Sequence, residues 1–179
     1  LREIGDGERL LSLFFENKMK REEILDRMQG KVAERGCFIV DAKIGKDDDI
    51  TLTLDKENGS VSLEDCEAIN NAFLAAFDKD SEDYSLTVTS AGLDQPFKVL
   101  KQFQKAIGSQ VEVRLRNSKK IIGLLSDATR DGISLRYSSK EAVEGKKRKV
   151  MVEHEEIFRM EDINSVIPHI IFEKKAKNK

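Results

Sequence analysis

The chain has 179 residues, 39% of them hydrophobic and 36% charged, with no tryptophan and a formal net charge of −2. That length holds two small domains or one of medium size, and the composition suits modest cores under a highly charged surface. No apolar run approaches the ~18 residues needed to cross a bilayer, and the N-terminus lacks the basic-then-apolar layout of a signal peptide. The expected setting is the cytoplasm, with no membrane partner.

The small net charge conceals an internal imbalance. Residues 19–96 carry 9 basic and 18 acidic side chains, whereas residues 97–179 carry 19 basic and 11 acidic ones. The sign flips at Pro96. Such asymmetry suggests two surfaces with different partners, the basic one a candidate for nucleic acid. The alternative is that the two halves simply dock on each other through opposite charge.

Residues 1–18 form an N-terminal extension that need not be native, because Met19-Lys20-Arg21 would itself make a natural start. From about Lys20 to Glu34, Ile24, Leu25, Met28 and Val32 recur at helical spacing among charges, which predicts an amphipathic helix ending at Arg35-Gly36. Cys37–Lys43 and Asp49–Leu54 read as two strands of a hairpin. The carboxylates of Asp47, Asp48 and Asp49 sit on its turn, but without the spaced oxygen ligands of a calcium loop, so no metal is expected. Ser62, with Asp65 three residues on, predicts a capping box, and Cys66, Ile69, Phe73, Ala76 and Phe77 give the apolar stripe of the helix behind it. Cys37 and Cys66 lie in apolar patterns without CxxC spacing, so buried free thiols are expected rather than a disulfide.

In Tyr84–Thr89 the residues Tyr84, Leu86 and Val88 alternate with polar ones, which predicts a strand. It is followed by Ser90-Ala91-Gly92 and Asp94-Gln95-Pro96, a run typical of a turn. A strand ending in Ser90, Gly92, Leu93, Asp94 and Pro96 resembles the signature of the bacterial ribosome maturation factor RimP family. Ala91 stands where a proline is usual in that family and Gln95 where an arginine is usual. The start of the second helix, VSLEDCEAI, matches the family as well, as does the order helix, strand, strand, helix, strand. The resemblance covers roughly residues 20–172.

Phe97–Lys105 reads as a short helix in which Lys98, Lys101 and Lys105 share a face, closed by Gly108. Strands are then predicted at Gln110–Arg116, Lys120–Ser126, Gly132–Tyr137, Lys149–His154 and Asn164–Phe172, separated by turns rich in Asn, Lys, Asp and Gly. Gly123 marks a bend where the sheet curls. The hairpin from Ser138 to Lys149 is longer than a small barrel requires. The expected fold class is α+β: a three-stranded sheet with two helices on one face, then a C-terminal SH3-like or Sm-like small β-barrel. The expected domains are an acidic α/β domain at 19–96, a basic helical linker at 97–108, the barrel at 109–173 and a basic tail at 174–179.

No catalytic constellation is present: the chain has no Gly-rich phosphate loop, no GxSxG and no HExxH. His154 and His169 are the only imidazoles, and both read as surface or edge residues. An enzyme is not expected, nor a cofactor. What remains is binding by three basic sets: Lys98, Lys101 and Lys105; Arg114, Arg116, Lys119 and Lys120; and Lys146, Lys147, Arg148 and Lys149. Aromatics are scarce in this half, which favours backbone contacts to folded RNA over base readout. The acidic half should repel RNA and suit a basic protein. The resemblance implies a non-enzymatic factor that joins the immature 30S small ribosomal subunit and assists its late assembly. Taken with the charge asymmetry, this suggests a monomeric adaptor with one face for a basic ribosomal protein and another for rRNA. The rival reading is a stand-alone Sm-like RNA-binding regulator that forms a ring.

Overall fold

The computed structural model describes residues 19–77, 83–142 and 148–170. The chain separates into two compact units, Leu1–Ala91 and Gly92–Lys179.

In the first unit, helix α1 (Arg21–Ala33) buries Ile24, Met28 and Val32, one residue per turn along a single stripe. Glu22 and Glu23 lie in its first turn, where carboxylates meet the positive end of the helix dipole. The chain leaves the helix through Gly36, whose φ of +66° a side chain would oppose. Strands β1 (Cys37–Ile44) and β2 (Asp49–Lys56) form the expected antiparallel hairpin, with a bulge between Ile39 and Asp41. Helix α2 (Leu63–Ala76) then carries the chain back to β3 (Ser85–Ser90), which pairs with β2 in parallel. A parallel neighbour requires such a crossover.

The sheet order is β1-β2-β3. Ile50, Leu52 and Leu54 point to one face of β2, where they share a core with Ile24, Met28 and Val32 of α1 and Ile69 and Phe73 of α2. Both helices therefore cover the same side of the sheet. Phe73 stacks on Phe77 and meets Tyr84 edge-on, with ring centroids 4.5 and 5.7 Å apart. The buried Tyr84 hydroxyl donates to the Phe77 carbonyl at 2.9 Å.

The capping box is complete. Asp65 N–H donates to Ser62 Oγ at 3.1 Å, and Ser62 N–H donates to Asp65 Oδ2 at 3.0 Å. Asp65 is itself buried, and receives Lys56 Nζ at 2.7 Å and Arg35 Nη2 at 3.2 Å. One carboxylate thus ties the start of α2 to the end of β2 and the exit of α1. Hydrogen bonds from Lys56 and then from the Ser62 backbone hold its carboxyl far below the usual range, against the opposing effect of burial. The stability this contributes is present above the unfolded aspartate value, ~3.9, and drains away as pH falls from there towards the lower folded value. Asp65→Asn should therefore lower the thermal midpoint by on the order of 5 °C at pH 7 and shrink that difference at pH 3. Calorimetry at both pH values checks this, and an equal deficit at both would be the contrary result.

The second unit opens with α3 (Leu100–Lys105), preceded by Phe97, and both Phe97 and Phe103 pack on its core. Their rings meet edge-on at 5.2 Å, and Phe97 N–H donates to the Val166 carbonyl at 2.9 Å. Strands β4 (Gln110–Leu115), β5 (Lys120–Ala128), β6 (Gly132–Glu141), β7 (Val150–Arg159) and β8 (Ile163–Pro168) follow, the last after a 3-10 turn at Met160–Asp162. They form one antiparallel sheet in the order β7-β6-β5-β4-β8. The five expected strands are present, the last ending at Pro168 with Ile171 and Phe172 of its expected span outside the described residues, but the sheet is not closed into a barrel. Strands β7 and β8 are its edges, and among the described residues they do not pair.

The β6–β7 ladder runs from Gly132↔Arg159 to Glu141↔Val150, so it takes in Ser138–Glu141 of the hairpin that looked too long for a barrel, while residues 143–147 of that hairpin fall outside the described residues. Gly123 and Gly132 allow the strands to crowd. A Cβ on Gly123 would stand 2.7 Å from the Arg136 carbonyl oxygen, and one on Gly132 would stand 2.5 Å from that of Phe158. Val111, Val113, Leu125, Ile133, Leu135 and Val166 fill the core beneath.

Candidate nucleic-acid interface

The β4–β5 hairpin places Arg114 directly across from Lys120. Its turn is closed by Leu115 N–H donating to the Lys119 carbonyl at 2.9 Å and by Lys119 N–H donating to Asn117 Oδ1 at 3.0 Å. Ser118 takes φ +66° at its tip. The neighbouring β8 brings Asn164 alongside. Together Arg114, Leu115, Arg116, Ser118, Lys120 and Asn164 line an open cleft of about 530 Å³. Three of the four cations in the second basic set thus converge. The fourth, Lys119, lies 6.0 Å from the Tyr137 ring centroid instead.

Glu112 sets the geometry of this cleft. Nearly buried on β4, it receives Lys120 Nζ at 2.6 Å and Arg114 Nε at 3.0 Å, while both cations stay largely exposed. The Lys120 hydrogen bond keeps its carboxyl below the ordinary glutamate range, with Arg114 adding to the effect and burial opposing it. Arg116 is fixed separately, by Nε donating to the Glu161 carbonyl at 2.6 Å. One carboxylate against three cations leaves the cleft positive. Each cation is oriented through one donor, and the remaining guanidinium N–H groups can serve a phosphate oxygen.

The other basic sets are not among these lining residues. Lys98 precedes α3, and its backbone N–H donates to Oε1 of the buried Gln102 at 2.8 Å. Lys101 and Lys105 are exposed one turn apart on α3. Arg148 and Lys149 are exposed just before β7, while Lys146 and Lys147 fall outside the described residues. The motif turn is exposed from Gly92 to Pro96, with Leu93 70% accessible. Ser90 ends β3, and Gln95 N–H donates to the Gly92 carbonyl at 3.1 Å. A Cβ on Gly92 would stand 2.9 Å from Oδ1 of Asp94, an exposed side chain with room to move aside.

A Ser-His-Glu cluster does occur, which the sequence reading missed. His154 Nε2 lies 2.9 Å from both Ser139 Oγ and Glu141 Oε1, and Ser139 Oγ is 2.7 Å from Glu141. A relay needs the acid on one ring nitrogen and the nucleophile on the other. Here both crowd the same nitrogen, and the ring stacks on Tyr137 with centroids 5.0 Å apart. No proton relay follows. Among the described residues no cluster of His, Cys, Asp or Glu is arranged to hold a metal. In the Asp47–Asp49 turn, Asp49 accepts a hydrogen bond from the Ser85 hydroxyl. Cys37 is buried and Cys66 half-buried, both as free thiols. No helix among the described residues is long and apolar enough to cross a membrane.

The second unit thus carries a positively charged cleft, and the first unit an excess of acidic side chains. Residues 28–94 match the profile of the RimP N-terminal domain. The chain is 32% identical to the ribosome maturation factor RimP of Flavobacterium psychrophilum over 155 residues, covering 87% of this chain and 98% of that one. It is 32% identical to the same factor of Christiangramia forsetii, covering 79% and 93%, and 31% identical to that of Porphyromonas gingivalis, covering 82% and 96%. The chain belongs to the RimP family of ribosome maturation factors, a non-enzymatic class.

Proposed function

We propose that this protein assists late assembly of the 30S small ribosomal subunit in the cytoplasm, binding rRNA with its second unit and a basic ribosomal protein with acidic surface. The observation that carries the RNA half of this reading is the cleft of Arg114, Arg116 and Lys120 held open by a single buried glutamate. Oriented cations facing solvent suit phosphates fixed in a folded RNA, and the family relationship supplies the setting. The five-stranded unit, with the basic segment 97–108 packed on it, serves in this reading as an SH3-like module that follows the acidic domain.

A ring-forming Sm-like regulator is the second reading, because among the described residues β7 and β8 each pair with a strand on one side only. It requires β8 of one copy to pair with β7 of the next. The Val166 carbonyl already accepts Phe97 N–H, and Pro168 at the end of β8 has no N–H to give. The β8 edge is therefore poorly suited to extension.

Sedimentation of tagged protein through a sucrose gradient of lysate tests the proposal. Co-migration with free small subunits, but not with assembled ribosomes, is expected. Recovery only at the top of a low-salt gradient overturns it. Replacing Lys98, Lys101 and Lys105 together by Glu should deplete the co-migrating fraction, and an unchanged profile would remove that face from the interface.

A further inference from the structure

The second unit is basic as a whole, yet its outer strand is not. Strand β7 reads VMVEHEEIFR over Val150–Arg159. Met151, Glu153, Glu155, Ile157 and Arg159 alternate towards one face and are all exposed, while Val150, Val152, His154 and Phe158 are half-buried on the other. Ile157 is 78% accessible and Met151 60%. Ten residues is long for an edge.

Natural sheets blunt such edges with brevity, proline, lysine or a covering segment. The other edge of this sheet, β8, follows that rule: six residues, a terminal proline and a carbonyl already bonded by Phe97. Strand β7 is long, carries neither proline nor lysine, and among the described residues pairs only with β6; its guard against like strands is the charge of Glu153 and Glu155. An edge guarded by one sign of charge and flanked by exposed isoleucine and methionine is the geometry of strand addition.

We infer that β7 is a docking edge for an extended, lysine- or arginine-bearing segment of a protein, which adds to the sheet as a further strand. Charge selects the occupant. Glu153 and Glu155 project between Met151 and Ile157 on the exposed face, so an incoming strand places cations opposite the two carboxylates and apolar side chains opposite the two hydrophobes. Glu155 is bonded to Arg136 at 3.0 Å, but both are more than half exposed, and such a pair exchanges partners at little cost. The same carboxylates repel a polyanion, so RNA is the wrong ligand here. They also repel a second copy of β7, which disfavours edge-to-edge dimers.

This inference rests on the reading that the protein binds a basic protein partner, and it moves a contact for that partner onto the otherwise basic unit. The probe is a short capped peptide whose alternate residues run valine, lysine, lysine, valine, with threonine between them. Added to the full chain, it should slow amide hydrogen exchange along β7 and leave β8 unchanged. Glu153→Lys combined with Ile157→Lys changes only exposed side chains and should weaken peptide binding by ~10-fold or more. The same peptide with a central proline should not bind, since proline removes a ladder donor. Protection elsewhere, full affinity in the double variant, or self-association through β7 would each overturn the inference. In the sucrose gradient the two ideas separate. If the wild-type chain fails to join small subunits, the functional reading falls. If it joins them and the double variant joins equally well, the docking edge alone falls.

Discussion

Arg114→Glu, Arg116→Glu and Lys120→Glu together should reduce affinity for ribosomal RNA by ~100-fold at 0.1 M salt and flatten the salt dependence by roughly two to three units of log K per log salt. The cause is counterion release: each phosphate that a cation neutralises frees bound salt, and three cations line this cleft. Reversal also strands Glu112 among like charges, so loss of binding could reflect a disturbed sheet. The glutamine versions at the same positions separate the two effects. They remove the charge without adding repulsion, and they should lower the salt slope by a similar amount while circular dichroism stays unchanged. A wild-type slope in the glutamine variant would detach RNA binding from this cleft.

The second large effect concerns the fold. Phe73→Ala should destabilise the first unit by about 3–5 kcal/mol, the range for truncating a buried aromatic to alanine. Phe73 is fully buried, and it touches Phe77, which caps the end of its helix, and Tyr84, just before β3. Its loss opens a cavity where α2 meets the sheet, and the Tyr84 hydroxyl bond to the Phe77 carbonyl depends on the same packing. Denaturant unfolding of the full chain should show an early transition for this unit, with the second unit's transition in place. A loss below ~1 kcal/mol would mean that the neighbouring side chains collapse into the gap.

Much of the first unit was legible because its signals are local. A stripe at Ile24, Met28 and Val32, a capping pair at Ser62 and Asp65 and alternation along β2 each lie within one element. What Asp65 does beyond its cap was not legible, since Lys56 and Arg35 reach it from other elements. The same holds for the cleft. Arg114, Arg116 and Lys120 are visible as a basic hairpin, but Glu112 looks like one more strand carboxylate until the register sets it against Lys120. Lys119, adjacent in sequence to Lys120, departs to Tyr137 because strand neighbours point to opposite faces. Strand ends were read short where polar residues continue a ladder, as in β6 through Ser138–Glu141 and in β7 through Glu155–Arg159. Barrel closure was inferred from strand number and Gly123, yet number and bending do not dictate which edges meet. The acidic character of β7 was hidden by averaging charge over the whole basic half.

Both cysteines lie in the first unit, and Cys37 is buried with its thiol pushed above its ordinary value by desolvation. A thiol reagent in solution can attack only the deprotonated sulfur, so Cys37 stays protected until that unit opens. Because the second unit holds no cysteine, pulsed alkylation of Cys37 read by mass spectrometry becomes a clock for the opening of the α/β unit alone, ticking in the intact chain.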